Sequence, residues 1–330
     1  MNLAHRPWNT VVLLVCLSCA ACTVSGTPSV VPTVAPPTSL PSPAQATATI
    51  AAVTPTSPIS ANLSFEQAMH QFDYDASIPL DVKVISTKDV NGVTIQSITY
   101  TAHSPQYGIK GRTLAYLVKP GGKGPTAGIL FMHWLGQPRG NRDEFLDGAV
   151  QLAQQGTVSL LVQGTFPWNE APANGERDRD QVIQQVIELR RALDFLLSQP
   201  EVDATRIGYV GHDYGALYGG ILAGVEKRIK TFVLMTGMGT FSDWSLKYFP
   251  ATNANGADPY RQALQAVAPI QYVGHAAPSS LLFQFARDDR FISQDAAQEF
   301  SNAASEPKQV QFYDAPHSLD NDNARRERKG

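Results

Sequence analysis

Residues 211–215 have the clearest chemical content of this 330-residue sequence, because they read Gly-His-Asp-Tyr-Gly. The segment follows the apolar run 207–210 and precedes a stretch of small residues, so we expect it to join a strand to a helix. Gly211 and Gly215 would let those two elements approach closely around a sharp turn that presents the Asp213 side chain. A carboxylate is already ionised near pH 7, so Asp213 can attack an electrophilic carbon without a base to activate it.

An acid and a histidine follow two later apolar runs. Asp289, or its neighbour Asp288, follows the run 281–285, and His317 follows the run 310–313. A histidine that is oriented by a carboxylate can act as a general base. Because Asp213 needs no activation, we expect His317 to activate the water that hydrolyses an ester formed on Asp213, with Asp289 as the orienting acid.

Four further side chains are candidates for the lining of this site. His133 and Trp134 follow one apolar run, Trp168 follows another, and Tyr214 lies in the turn itself. We expect His133 to help to form an oxyanion hole, and the indole N–H of Trp134 or Trp168 to bind a leaving halide or an oxyanion. His133 also has a simpler interpretation, a hydrogen bond at the end of its strand. His212 is expected to pack beside the turn.

The apolar runs that precede these residues are typical of strands buried on both faces. They lie at 128–132, 158–162, 207–210, 232–235, 281–285 and 310–313. Helical patterns separate most of them, and a short helix at 64–72 and antiparallel strands at 81–87 and 93–102 are expected ahead of them. The alternation predicts an α/β fold with a mostly parallel central sheet, helices on both faces and little or no cap domain. Chemistry in such sheets belongs at the carboxyl ends of the strands.

The first 22 residues predict an exported protein. His5 and Arg6 precede an apolar stretch that is too short to span a bilayer and that ends in Ser-Cys-Ala-Ala-Cys. A cysteine behind two small residues resembles the lipid-attachment box of bacterial lipoproteins, so we expect Cys22 to carry a lipid that anchors the protein to the membrane at the cell envelope. Cys19 is the competing position, and cleavage near Ala21 without lipidation is the alternative.

Composition divides the rest of the chain and excludes several functions. Residues 23–60 contain eight Pro, fourteen Ser or Thr and no charged residue, so a disordered tether is expected there, followed by one domain at 61–330. That domain has no cysteine, which excludes a disulfide and a cysteine nucleophile within it. The nearly balanced charge, 26 Lys+Arg against 29 Asp+Glu, argues against nucleic-acid binding. The histidines show no ligand spacing, so we expect no metal and no cofactor.

From about residue 75 onward, the chain resembles the α/β-hydrolase superfamily, because the turn at 211–215, the acid and the histidine follow three strands in that superfamily's chain order. The layout is similar to that of dienelactone-hydrolase-like members, which lack a large lid. Their acid spacing, Gly-x-x-Asp-x-x-Val, fits Asp289 better than Asp288. The Gly-His-Asp of the turn resembles haloalkane dehalogenases, fluoroacetate dehalogenases and soluble epoxide hydrolases, whose nucleophile is an aspartate.

The resemblance implies cofactor-free hydrolysis of a small organic molecule: a haloalkanoate, an epoxide or an ester-like compound. Attack of Asp213 on an ester would give a mixed anhydride, which disfavours plain esterase chemistry. Epoxide hydrolases polarise the epoxide with two cap tyrosines, and only Tyr248, Tyr260 and Tyr272 could substitute for them here. The alternative is a surface lipoprotein that keeps the fold without catalysis. The helix expected to begin near Asn323 is usually continued in this superfamily.

Overall fold

A central sheet carries the fold in the residues that the computed structural model describes, namely 64–101, 112–122, 124–135, 140–164, 175–248 and 256–328. Its strands are β1 (Lys83–Val90), β2 (Val93–Tyr100), β3 (Thr113–Pro120), β4 (Thr126–Met132), β5 (Val158–Val162), β6 (Val202–His212), β7 (Thr231–Met235), β8 (Ser280–Ala286) and β9 (Lys308–Tyr313). They lie in the order β1-β2-β3-β5-β4-β6-β7-β8-β9. The pairs β1–β2, β2–β3 and β3–β5 are antiparallel. From β5 to β9 all pairs are parallel.

Helices cover both faces of this sheet. They are α1 (Phe65–Met69), α2 (Leu146–Gln154), α3 (Gly175–Leu197), α4 (Tyr214–Val225), α5 (Phe241–Tyr248), α6 (Ala257–Gln265), α7 (Gln294–Ala303) and α8 (Asp322–Glu327). Helices α3 and α4 pack into the larger apolar core on one face, whereas α2 and α8 pack into a smaller one on the other. In the described ranges, no helix combines the length and the apolar character that crossing a membrane requires.

Each predicted strand corresponds to an observed one, although the antiparallel pair expected at 81–87 and 93–102 spans Lys83–Val90 and Val93–Tyr100. The run 158–162 coincides with β5, and the other five buried runs lie inside β4, β6, β7, β8 and β9. The sequence analysis did not predict β3. In that strand Leu117 is buried on one face of the sheet and Val118 on the other, so it lacks a clean alternation, and Leu114 is 37% exposed.

Helix α4, which follows the predicted turn, lies in the interior. Its residues from Tyr214 to Gly224 are all buried, among them the rings of Tyr214 and Tyr218. A helix that is apolar on every side is a core element, since it has no polar face to turn toward water. The N-terminal end of α4 is therefore held by packing on several sides, and so is the residue that precedes it, Asp213.

Candidate active site

Asp213 occupies the turn between β6 and α4, with a φ of 54° and a ψ of −114°. A left-handed backbone of this kind costs about 1 to 3 kcal/mol in a residue other than glycine, and it persists only where the surroundings impose it. Here the surroundings are tight. A Cβ on Gly211 would lie 2.2 Å from the Gly215 carbonyl oxygen, and a Cβ on Gly215 would lie 2.2 Å from the Met132 carbonyl oxygen. Only glycine fits at these two positions.

Two hydrogen bonds fix the turn in place. The N–H of Asp213 donates to the carbonyl oxygen of Met235 at the end of β7, at 2.9 Å. The hydroxyl of Tyr209 donates to the carbonyl oxygen of Gly215 at 2.7 Å. Because Tyr209 is fully buried, water cannot replace that second bond. The carboxylate of Asp213 is thereby presented from a rigid backbone, with 8% of its side chain exposed.

Asp289 is the acid that contacts His317. Its Oδ2 lies 2.8 Å from Nδ1 of His317, whereas the neighbouring Asp288 is exposed. The other oxygen, Oδ1, accepts the N–H groups of Phe291 at 2.8 Å and of Ile292 at 3.0 Å. Burial alone would raise the pKa of Asp289, but the hydrogen bond and charge of His317 and the two backbone donors together hold it below its ordinary value.

The opposite edge of the same imidazole is turned toward Asp213. Nε2 of His317 lies 3.9 Å from Oδ1 of Asp213, which is longer than a hydrogen bond. The second oxygen, Oδ2, accepts the N–H of Leu135 at 3.3 Å. The two oxygens of Asp213 therefore have different environments, one facing a base and the other facing a backbone donor.

Burial also changes the acidity of Asp213. Removal from water raises the pKa of this carboxyl above its ordinary value, although the charges of His317 and His212 and the N–H of Leu135 oppose that effect. A carboxylate with few water molecules around it is a stronger nucleophile than a hydrated one, provided that it stays ionised. Whether Asp213 is ionised thus depends on positive charge at the neighbouring His317 and His212.

His133 uses its ring to join the ends of two strands. Nδ1 donates to the carbonyl oxygen of Trp134 at 2.6 Å, and Nε2 accepts the N–H of Gly164 at 2.9 Å. Burial lowers the pKa of His133, which suits this neutral form. The structure thus matches the simpler interpretation of His133, a strand-end hydrogen bond. Through the bond to Trp134, His133 positions that residue and, through the backbone, Leu135.

Glu144 belongs to the site, and the sequence analysis did not identify it. Its Oε1 lies 2.5 Å from Nδ1 of His212, and its Oε2 accepts the N–H of Trp134 at 2.7 Å. Nε2 of His212 lies 3.0 Å from the carbonyl oxygen of His317. His212 thus does more than pack beside the turn. Glu144 stands in the segment Asn-Arg-Asp-Glu, where no local pattern distinguishes it from a solvated acid.

Aromatic rings surround the polar groups. The indole of Trp134 stacks on the ring of His212 at 4.9 Å and 9° between planes, and the ring of Phe291 meets His317 edge-on at 5.0 Å. Tyr214 turns its ring toward Trp244, at 5.2 Å, in the core beneath the turn. Two predicted residues, Trp168 and Cys22, lie outside the described residues.

The three tyrosines considered for epoxide activation are directed at protein acceptors. The hydroxyl of Tyr248 donates to the carbonyl oxygens of Arg290 and Phe291, each at 3.2 Å. The hydroxyl of Tyr260 donates to the buried Asp178 at 2.8 Å, and that of Tyr272 donates to the main-chain carbonyl oxygen of Ala266. These bonds tie α5 and α6 to the rest of the fold. Within the ranges that the structure describes, no group of three or more His, Cys, Asp or Glu could hold a metal ion.

Comparison with solved structures shows that the chain has the α/β-hydrolase fold, which confirms the predicted fold class. The alignment with acetyl xylan esterase 1 from Thermoanaerobacterium sp. JW/SL YS485 covers 77% of this chain and 88% of the esterase, with a TM-score of 0.61 and 14% identity. The alignment with the acetyl xylan esterase from Paenibacillus sp. R4 covers 76% of this chain and 87% of the esterase, with a TM-score of 0.58 and 18% identity. The alignment with the alpha/beta hydrolase GrgF from Penicillium sp. sh18 covers 68% of this chain and 91% of GrgF, with a TM-score of 0.51 and 12% identity. No protein-family model and no curated protein matches the chain.

Proposed function

We propose that the protein is a hydrolase that forms a covalent ester on Asp213 and hydrolyses it with water activated by His317. The observation that carries this proposal is the unequal placement of the two Asp213 oxygens. Oδ1 faces His317 across 3.9 Å, and Oδ2 accepts the Leu135 N–H at 3.3 Å. Oδ1 is therefore the attacking atom, and Oδ2 already occupies the place where negative charge develops later.

In the first step, a lone pair of Oδ1 forms a bond to an sp3 carbon of the substrate. The bond from that carbon to its leaving group breaks, and the electron pair departs as halide or as an epoxide alkoxide that takes up a proton from water. His317 is not needed as a base here, because the carboxylate is already ionised. The distance of 3.9 Å, too long for a direct hydrogen bond, agrees with that separation of roles.

In the second step, His317 removes a proton from a water molecule that attacks Cγ of Asp213. Charge moves onto Oδ2, where the N–H of Leu135 stabilises it together with the N–H of Tyr214, the donor that this fold supplies after its nucleophile. Collapse expels the substrate oxygen as an alkoxide, which takes the proton from the His317 imidazolium and leaves as the product alcohol. The second proton of the water passes to solvent as the carboxylate is restored. Asp289 orients the imidazole and stabilises its positive charge.

The substrate that this site favours is a small organic molecule with an electrophilic sp3 carbon. The rings of Phe291 and Trp134 lie 5.0 Å and 5.9 Å from the ring of His317, and an acid already lies on each side of the imidazole. A haloalkanoate or epoxide gives an ordinary alkyl ester on Asp213. Ester hydrolysis is the second candidate, since the two esterases named above share the fold. It requires a mixed anhydride on Asp213, which is a higher-energy intermediate.

The test is intact-protein mass spectrometry of His317→Gln after incubation with a haloalkanoate, an epoxide and an ester. We expect a stable adduct on the peptide that contains Asp213, because attack proceeds and water is not activated. Asp213→Asn is the matched control and should give no adduct. Direct attack of water on substrate, with Asp213 as base, predicts no adduct in either variant and would exclude the covalent mechanism. Wild-type protein without turnover of any of the three would indicate a non-catalytic lipoprotein.

We also propose that the protein is exported and lipidated at Cys22, with residues 23–60 as a tether. The support is the sequence pattern, namely a short apolar stretch, two small residues before the cysteine and an uncharged Pro/Ser/Thr-rich segment after it. Cys22→Ala should move the protein from the membrane to the soluble fraction, and Cys16→Ala should not. A shift only in the Cys19→Ala variant would assign the lipid to Cys19. Membrane association that survives the double replacement of Cys19 and Cys22 would rule out a lipid anchor.

A further inference from the structure

A second charged pair lies directly behind the turn that carries Asp213. It consists of His212, whose side chain is 1% exposed, and Glu144, whose side chain is 14% exposed. Nδ1 of His212 and Oε1 of Glu144 are 2.5 Å apart, the short distance of a charge-assisted hydrogen bond. The proposed chemistry uses neither residue, although both border the reacting groups.

The hydrogen-bond partners of His212 determine its protonation state. Nε2 faces the carbonyl oxygen of His317 at 3.0 Å, and a carbonyl oxygen can only accept, so Nε2 carries a proton. Nδ1 faces a carboxylate, which also accepts. Both ring nitrogens therefore act as donors, as in an imidazolium. Burial lowers the pKa of His212, but the charge and hydrogen bond of Glu144, the charge of Asp213 and the hydrogen bond to the His317 carbonyl together more than offset it, so the net direction is upward.

The pair also connects the segments that form the site. The second oxygen of Glu144 accepts the N–H of Trp134, the residue before Leu135 in the loop that donates to Asp213. The indole of Trp134 lies parallel to the imidazole of His212 at 4.9 Å, a geometry that favours a cation at the smaller ring. Nε2 of His212 holds the main chain of His317. One ion pair thus touches the loop after β4, the end of β6 and the turn after β9.

We propose that Glu144 and His212 form a buried ion pair that keeps Asp213 ionised and fixes the backbone of the His317 turn. The charged groups around the pair are Asp213 beside His212, the His317 ring at 5.4 Å from its ring, and Arg328 of the C-terminal segment, which interacts with Glu144. The positive charge of His212 acts on Asp213 against the effect of burial. Both residues are positioning residues, since they act on substrate only through Asp213, Leu135 and His317.

The direct test is nuclear magnetic resonance of the whole protein, which needs no turnover. The imidazole ¹⁵N signals of His212 should show two N–H groups well above pH 6.5, where an ordinary histidine loses one proton. In Glu144→Gln, His212 should lose that proton within the neutral range. In His212→Gln, which removes the positive charge beside Asp213 and leaves Glu144 in place, the side-chain ¹³C signal of Asp213 should titrate at a pH higher by about one unit, the lower end of what a nearby opposite charge produces.

The kinetic test rests on the proposed function and has a different signature. His212→Gln should move the acid limb of the pH–kcat/KM profile, which reports the free protein before Asp213 is esterified, upward by about one pH unit. This variant should recover most of its activity at high pH, which a merely structural defect would not allow. His70→Gln is the matched control, because His70 pairs with Asp73 at 2.8 Å on the surface and should alter neither titration nor rate.

The two kinds of failure can be distinguished. If the ¹³C titration of Asp213 shifts in His212→Gln but the wild type hydrolyses nothing, the ion pair stands and the proposed function fails. If the wild type is active and the titration of Asp213 is the same in His212→Gln, the inference is wrong. A wild-type His212 with a single N–H at neutral pH would also overturn it. If His212→Gln does not fold, Glu144→Gln provides a second variant, and an unchanged protonation of His212 in it would contradict the inference.

Discussion

Replacement of Asp289 by asparagine should arrest the protein between its two chemical steps. Oδ1 of Asp289 accepts two backbone N–H groups, from Phe291 and Ile292, so the amide oxygen of an asparagine must take that position. The amide nitrogen then faces Nδ1 of His317, 2.8 Å away in the wild type. The opposite orientation would set N–H groups against N–H groups. The environment of the side chain therefore leaves the amide one favourable orientation.

An amide N–H directed at Nδ1 makes that nitrogen an acceptor and moves the proton of neutral His317 to Nε2. Nε2 is the atom that faces Asp213 and must take a proton from water. Hydrolysis of the ester should slow about a thousandfold to ten-thousandfold, the effect known where this substitution gives a catalytic histidine the wrong tautomer. At 1.36 kcal/mol per tenfold, this corresponds to about 4 to 5.5 kcal/mol in the second barrier. The first step does not use His317 as a base and should be nearly unaffected.

The assay is rapid mixing with a substrate whose leaving group can be followed optically. Asp289→Asn should release about one equivalent of leaving group per protein in a burst, followed by a very slow steady state. Asp288→Asn is the control, because Asp288 is exposed, and it should turn over like the wild type. A steady-state rate of Asp289→Asn within tenfold of the wild type would refute the tautomer argument. A loss of the burst as well would show that His317 acts in the first step.

Three further predictions concern stability. Gly215→Ala should prevent a stable fold, because its Cβ would lie 2.2 Å from the Met132 carbonyl oxygen. In the control Gly148→Ala, the added Cβ meets open space, so the free energy of unfolding should rise by roughly 0.5 to 1 kcal/mol through the better helix propensity of alanine in α2. Thermal melting measures both. Tyr209→Phe should lower the free energy of unfolding by about 1 to 3 kcal/mol, because the carbonyl oxygen of Gly215 is left without this donor. An unchanged midpoint of denaturant unfolding would contradict this prediction. Burial raises the pKa of Asp213, so its contribution to stability is present at low pH and falls as pH rises through the folded value. Asp213→Asn should therefore have a higher melting temperature than the wild type at pH 7 but not below about pH 4. Equal melting temperatures of the two proteins at both pH values would contradict a raised pKa of Asp213.

The sequence is most informative where chemistry is local along the chain. The Gly-x-Asp-x-Gly turn is recognisable because its steric demands fall within five consecutive residues, and the structure shows both glycines in contact too close for a Cβ. Strand ends could also be located, because buried strands are continuous apolar runs. Since parallel strands end at one edge of the sheet, the contact of His317 with Asp289 and its approach to Asp213 could be expected from order alone.

What the sequence did not reveal depends on contacts between distant segments. Glu144 and His212 are 68 positions apart, and neither stands in a pattern that differs from a surface acid or a core histidine. The role of His133 is similar, since its partner Gly164 belongs to the neighbouring strand end. For these residues the deciding information is which segments are neighbours in space. Strand β3 was missed for another reason: its apolar and polar residues do not alternate cleanly, and its Leu114 is 37% exposed.

The fixed positions of the two Asp213 oxygens have a consequence for the atoms themselves. Under the proposed mechanism, Oδ1 leaves with the product alcohol, and the oxygen of water remains in the side chain of Asp213. The protein therefore donates one of its own atoms in each cycle and replaces it from solvent. In heavy-oxygen water, the first molecule of product would be unlabelled while Asp213 gained the isotope, and labelled product would appear only from the second turnover onward. In that solvent, the isotope in Asp213 therefore distinguishes protein that has completed a turnover from protein that has not.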